Sequence, residues 1–171
     1  MNTVLFLGVE KTLVGILSVQ DSIRPTAKTV MELFKKEGIE TLMLTGDDKI
    51  TAENIGKELG IGSIQSNLLP EDKINAVTTL TSKGRKVAMI GDGINDAPAL
   101  AAATVGIAMG VLGTEAAMEA ADVVLVNDDL MKIARARAIS KRAFRTIKEN
   151  IFVGVGVVHV TGITLVLLHI I

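Results

Sequence analysis

The chain has 171 residues, a formal net charge of −1, 49% hydrophobic residues, no cysteine, and four aromatic side chains, all Phe. That length suits one domain with a real core plus an appended element. The absent thiols exclude disulfides and thiolate metal sites, and so few rings argue against a base-stacking surface, so no nucleic-acid partner is expected.

In chain order, the first pattern is "FLGVEKTLVG", residues 6–15, where an apolar run meets Gly8, then Glu10 and Thr12. It reads either as a hairpin or as a strand and loop that resemble a phosphotransfer motif with Gly8 in the place of its acid. Residues 25–38 follow as a helix opened by Pro25 and closed by Gly38. Residues 39–47, "IETLMLTGD", form a strand delivering Thr45 and Asp47 at its end. Residues 51–60 are a helix stopped by Gly60. Residues 70–84 are another, with Pro70 in the first turn and Glu71 and Asp72 favoured there by the helix dipole. "KVAMIGDG", residues 86–93, is a second strand ending in an acid, Asp92. Residues 105–109 and 122–126 are short apolar strands, with small-residue helices over 96–103 and 113–121. Alternating strands and helices predict an α/β fold with a parallel sheet covered on both faces. Ligands of such sheets sit beyond the carboxyl ends of the strands, where Asp47 and Asp92 both fall.

Charge then separates sharply along the chain. Residues 129–150 carry seven basic side chains (Lys132, Arg135, Arg137, Lys141, Arg142, Arg145, Lys148) against Asp129 and Glu149, leaving residues 1–128 with 11 basic and 17 acidic. An acidic globular part is followed by a basic helix. Residues 151–171, "IFVGVGVVHVTGITLVLLHII", contain no Asp, Glu, Lys or Arg. A bilayer core about 30 Å thick takes about 20 helical residues to cross, so this run is read as a transmembrane helix rather than a buried core helix. The basic residues before it place residues 1–150 on the cytoplasmic side. No secretory signal opens the chain.

The strand ends carry the chemistry. In "MIGDGINDAP", residues 89–98, Asp92 ends a strand between two glycines and Asp96 follows near a helix start, with Asn95 beside it. Two carboxylates and an amide make an oxygen-rich site suited to Mg²⁺; an Asp-Gly turn plus an N-capping Asp96 is the plainer alternative. The Thr45 hydroxyl and the loop amides of Gly46 and Asp47 could bind phosphoryl oxygens. Lys73, in "LLPEDK", could neutralise phosphoryl charge, where an isolated lysine would be a solvated surface residue.

Taken together, "MLTGD", "LLPEDK", "VAMIGDGINDAPALAAATVGIAMG" and "GTEAAMEAADVVL" resemble successive signatures of the heavy-metal-transporting P-type ATPases, whose phosphorylation domain belongs to the haloacid dehalogenase superfamily. The resemblance implies that Thr45, Gly46 and Asp47 contact the phosphoryl group and support its loop. It implies that Lys73 neutralises phosphoryl charge, that Asp92 binds Mg²⁺, and that Asn95 and Asp96 hold phosphate and metal in place. "DSIRP", from Asp21 through Arg24 to Pro25, resembles the hinge from the ATP-binding domain, so Asp21 and Arg24 are the candidates for the nucleotide side. Thr104 stands where the family commonly has Asp. The family's phosphorylated motif, Asp-Lys-Thr-Gly-Thr, does not occur in this chain.

The expected architecture is therefore a Rossmann-like parallel sheet of the haloacid dehalogenase type lacking its nucleophile strand, then a basic helix running into one transmembrane helix. Its expected divisions are 1–20, a terminal hairpin of the nucleotide-binding domain; 21–128, the phosphorylation domain; 129–150, a stalk; and 151–171, the membrane helix. Without its central strand the sheet exposes unpaired edges, unless "TVLFL" or "VGILSV" occupies the gap. The leading function is the C-terminal catalytic part of an ATP-driven heavy-metal pump, using Mg²⁺ and ATP in the intact protein and inert alone. Its partners would be the bilayer, the metal cation and the upstream part of the pump. Alternatives are a small-molecule phosphatase of the same superfamily and a non-enzymatic fragment that binds Mg²⁺ or a partner pump. His159 is a candidate either for the ion path or for hydrogen bonding between helices, and His169 lies near the far interface.

Overall fold

The structure is a computed structural model and describes residues 3–19, 22–91, 95–110, 115–127 and 129–168. It divides into two units, 1–130 and 131–171. The first unit opens with β1 (Thr3–Val9) and β2 (Thr12–Val19), an antiparallel hairpin in which Leu5 faces Leu17 and Phe6 faces Ile16. The register slips after Leu7, and Glu10 takes φ +57° in the turn. Among the described residues these strands pair only with each other. The motif around Gly8 is thus a hairpin, and neither strand fills a place in the parallel sheets. Leu5, Phe6, Leu7, Leu13 and Ile16 all remain exposed on it.

The α/β part alternates as its sequence predicts. Helix α1 (Ala27–Lys36) buries Ala27, Val30 and Phe34, the one-face spacing of an amphipathic helix, and ends where the Ile39 N–H returns to the Phe34 carbonyl. Strand β3 (Leu42–Leu44) is followed by α2 (Lys49–Leu59), which Asp48 caps through the Ile50 and Thr51 N–H groups. A short strand absent from the sequence reading, β4 (Ser63–Gln65), pairs in parallel with β3. Helix α3 (Pro70–Ser82) starts at Pro70, and the Asp72 carboxylate accepts the Leu69 N–H. Then come β5 (Ala88–Gly91), α4 (Ala97–Ala102), β6 (Val105–Met109), α5 (Glu115–Ala120) and β7 (Val123–Leu125).

Strands β5, β6 and β7 form one parallel sheet with β6 central, while β3 and β4 form another. No ladder joins the two among the described residues. The sheet is interrupted where the superfamily's nucleophile strand is expected. A shared core bridges the two parts: Val77, Met89, Ala99, Leu100 and Ala108 are buried together, with Leu44 from β3 and Ile74 from α3 packed against them. Full burial of a side chain such as Leu100 contributes about 2 kcal/mol. Gly106 is required there, because a Cβ on it would lie 2.8 Å from the Leu100 carbonyl oxygen.

The second unit is a continuous helical rod. Helix α6 (Met131–Ile151) passes through a π-helical segment, Phe152–Val157, into α7 (Val158–Leu167). Met131–Leu167 is the one helix among the described residues long and apolar enough to cross a membrane, with a mean hydropathy of 2.0 in its most apolar stretch. Phe152, Val153, Val158, Val160 and Ile163 are exposed along it.

Candidate active site

Two loops follow β3 and β5. After β3 the chain is held by the segment leading to α3. The Thr45 N–H extends the ladder to the Gln65 carbonyl (3.0 Å), the Thr45 carbonyl accepts from the Leu68 N–H (3.0 Å), and the Asp47 carbonyl accepts from the Asn67 N–H (2.8 Å). Gly46 passes close enough to this brace that a Cβ would sit 3.3 Å from the Leu68 carbonyl oxygen. Within the loop, the Thr45 hydroxyl donates to Asp47 Oδ2 at 2.8 Å and accepts the Asp47 N–H at 3.1 Å. Thr45, Gly46 and Asp47 therefore form one tied unit, with Gly46 and Asp47 exposed.

The second loop is built on burial. Asp96 is the buried charged residue of the described chain, 8% exposed. It occupies the N-cap position of α4 and its carbonyl accepts from the Leu100 N–H (2.8 Å), yet its side chain makes no cap bond. The carboxylate is used elsewhere. Lys73, in the first turn of α3, donates from Nζ to Asp96 Oδ1 at 2.8 Å, with both side chains mostly buried. This is a charge-assisted bond between two motifs 23 residues apart in sequence, and it removes the plain capping reading of Asp96. The other oxygen, Oδ2, faces Gly91, where a Cβ would meet it at 2.7 Å. Glycine at 91 is what lets the acid lie flat against β5. Asn95 is exposed in the turn before α4.

Other candidates fall outside this pairing. Asp92 and Asp21 lie outside the described residues, as does His169. Arg24 is exposed just before α1, its carbonyl accepting the Ala27 N–H at 2.9 Å. Among the described residues no group of three or more His, Cys, Asp or Glu side chains is placed to hold a metal. The sequence reading passed over Asn67, which at φ +55° turns the chain so that residues 67 and 68 brace the Thr45 loop. An Asn two residues before "LPED" was the available signal. It also passed over Asp48, whose carboxyl is held below its usual value, first by the Thr51 hydroxyl and then by the Thr51 and Ile50 N–H groups.

Thr104 answers for itself. Its hydroxyl oxygen accepts the Val87 N–H (3.1 Å) while its own N–H donates to the Val87 carbonyl (2.9 Å), locking the entry of β5 to that of β6.

Similarity to known proteins agrees with this arrangement. Residues 3–104 match the haloacid dehalogenase-like hydrolase family. The chain is 47% identical over 156 residues to a cadmium-transporting ATPase of Staphylococcus aureus, covering 91% of this chain and 22% of that protein. It is 45% identical over 150 residues to a copper-exporting P-type ATPase of S. aureus strain MRSA252, covering 88% and 19%. Among solved structures, a zinc-transporting PIB-type ATPase in its E2.Pi state superposes with a TM-score of 0.85 at 37% identity, covering 97% of this chain and 27% of that one. The chain thus spans about a fifth of the length of the curated relatives it matches. It belongs to the haloacid dehalogenase-like hydrolase family, and its likeness there is to a segment of the catalytic region of heavy-metal P-type ATPases.

Proposed function

We propose that the chain provides the C-terminal portion of the phosphorylation domain, and the membrane helix that follows it, of an ATP-driven heavy-metal cation pump. The observation that carries the reading is the buried Lys73–Asp96 pair, because it ties the lysine of one motif to the second acid of the other. In this reading residues 21–128 are the phosphorylation domain, 1–20 the end of the nucleotide-binding domain, 129–150 the stalk and 151–171 the span, with residues 1–150 cytoplasmic.

Each site residue then has a task. Lys73 holds a positive charge where phosphoryl oxygens gather, and Asp96 fixes the direction of its ammonium group. Thr45, with its loop braced by residues 65–68, turns its hydroxyl hydrogen from Asp47 to a phosphoryl oxygen. Gly46 keeps that approach open, and Asn95 offers an exposed amide to phosphate. Asp21 and Arg24 are the residues this reading assigns to the nucleotide side. The donors of the second loop are all oxygens, the set that a hard cation takes, so the residues present fit Mg²⁺. Asp92 and Asp96 would hold it, the rest of its shell coming from water and an upstream carboxylate. When bound, Mg²⁺ supplies charge neutralisation for phosphoryl transfer.

The acceptor carboxylate is not in this chain. The interruption between β3 and β5 is where a strand bearing it would insert, whether from an upstream part of the same protein or from a separate chain. A phosphatase acting alone is disfavoured by that absence and by the apolar span. Backbone chemical shifts during an Mg²⁺ titration test the metal half of the reading. Shifts centred on residues 91–96 and weakened in Asp92→Asn and Asp96→Asn are expected. No change there at millimolar Mg²⁺ would refute it.

A further inference from the structure

The last turns of α6 stand directly before the apolar run, and their charge is one-sided. Residues 141–150 carry Lys141, Arg142, Arg145 and Lys148 against one acid, Glu149. Arg142, Arg145 and Lys148 recur every third residue and Lys141 precedes Arg145 by four, so the cations share one helix face. Ile139, Ala143 and Ile147 recur every fourth residue on the opposite face. Residues 141–150 are all exposed. Arg145 Nε lies 3.8 Å from Glu149 Oε1 with both side chains mostly exposed, an ion pair of little worth in water. Lys148 Nζ lies 4.9 Å from the centre of the Phe144 ring, a contact that steadies the ammonium without cancelling its charge.

Helix rise sets the height of each cation. At about 1.5 Å per residue along a helix near the membrane normal, Lys148 stands about 4–5 Å above Ile151, where the apolar run begins. Arg145 stands about 9 Å above it, and Arg142 and Lys141 about 13–15 Å. One headgroup layer is about 5–8 Å thick, and its field reaches about 8 Å further at physiological salt. The four cations fall within that zone. Lys132, Arg135 and Arg137, about 21–29 Å up, lie beyond it.

We propose that Lys141, Arg142, Arg145 and Lys148 form a collar that binds the phosphate headgroups of anionic phospholipids, in the leaflet facing residues 1–150. This rests on the reading of residues 151–171 as a membrane span. Guanidinium groups at 142 and 145 offer paired N–H donors that match phosphate oxygens. A zwitterionic headgroup brings its own ammonium against the collar, whereas an anionic one does not, so charge selects the lipid. A lipid surface is favoured over a soluble acidic partner because the span itself holds the collar at headgroup depth.

The test is native mass spectrometry of the full chain released from detergent, with equal amounts of phosphatidylglycerol and phosphatidylcholine. Phosphatidylglycerol adducts should exceed phosphatidylcholine adducts by at least about fivefold, the worth of one cation near a lipid surface. The excess should vanish in Arg142→Gln/Arg145→Gln/Lys148→Gln and persist in Lys132→Gln/Arg135→Gln. Inorganic phosphate at the same concentration should leave the adducts unchanged. Equal adducts of the two lipids, an excess that survives the triple variant or is lost in the upstream pair, or displacement by inorganic phosphate would overturn the proposal. Paramagnetic probes in nanodiscs separate this failure from failure of the span reading. If a lipid-chain label broadens residues 152–167 and the two lipids bind equally, only the collar falls. If a water-soluble agent broadens them instead, the membrane placement falls with it.

Discussion

Replacing Lys73 with Met keeps the aliphatic stem and removes the charge from the pair that organises the site. The Lys73 side chain is 18% exposed and that of Asp96 11%. Breaking a fully buried pair costs about 3–5 kcal/mol and breaking an exposed one under about 1 kcal/mol. A mostly buried pair at 2.8 Å with residual water access falls between, at about 2 kcal/mol. For a chain of this size that lowers Tm by roughly 4–8 °C. Asp96→Asn keeps an oxygen for the ammonium and should cost about half as much, about 1 kcal/mol. Because the two groups satisfy each other, the double variant Lys73→Met/Asp96→Asn should lose less than the sum of the single losses. The chain has no Trp or Tyr, so urea unfolding is followed by far-ultraviolet circular dichroism in detergent. A Lys73→Met midpoint within error of the parent, or strictly additive losses, would refute the view that this pair holds α3 against the β5–α4 turn.

Gly91→Ala should destabilise by about 1–3 kcal/mol, because its Cβ would fall 2.7 Å from Asp96 Oδ2 and 2.8 Å from Asp96 Cβ while Lys73 holds the carboxylate in place; urea midpoints measure it. Thr104→Val should lose about 0.5–1 kcal/mol by orphaning the Val87 N–H, whereas Thr104→Asp, which retains an acceptor, should lose less. Asp48 has its carboxyl lowered from about 3.8 in the folded chain, so the stability it adds is present above that value and is lost as pH falls through the lower folded value. Acid titration of the Asp48→Asn variant should therefore show a shallower decline below pH 4 than the parent, and parallel curves would contradict the capping role.

Much of this arrangement was legible in the residues. Pro70, Gly38 and Gly60 mark helix ends that the structure keeps, and the strand-then-acid pattern puts loops after β3 and β5. The interruption of the sheet followed from a missing motif, and the ladders end where that absence implies. Strand β4 escaped because it is three residues long, with Ile64 as its one apolar side chain, too short for any period to register. The strand expected over 39–47 shrank to Leu42–Leu44, because Ile39 is spent on closing α1 and Thr45 begins the loop. At Asp96 the capping pattern and the ion pair compete for one carboxylate, and only the tertiary approach of Lys73 decides between them. Nothing at residue 150 breaks the rod, since no Pro or cap intervenes, so the stretches expected as a stalk and a span form one helix with a π-helical segment within it. Continuous backbone hydrogen bonding of that kind is what a membrane requires of a spanning segment.

The central proposal is that this chain holds the charge-neutralising and metal-holding half of a phosphorylation site and not its acceptor. Its most direct test is phosphoryl transfer from labelled ATP in Mg²⁺, with the chain alone and with an upstream polypeptide carrying Asp-Lys-Thr-Gly-Thr. The account predicts no labelled protein from the chain alone, and label on the upstream polypeptide in the mixture that disappears with Lys73→Met or Asp92→Asn. Label on the chain by itself, Asp92-dependent phosphate release without the upstream piece, or a mixture indifferent to Lys73 would contradict it.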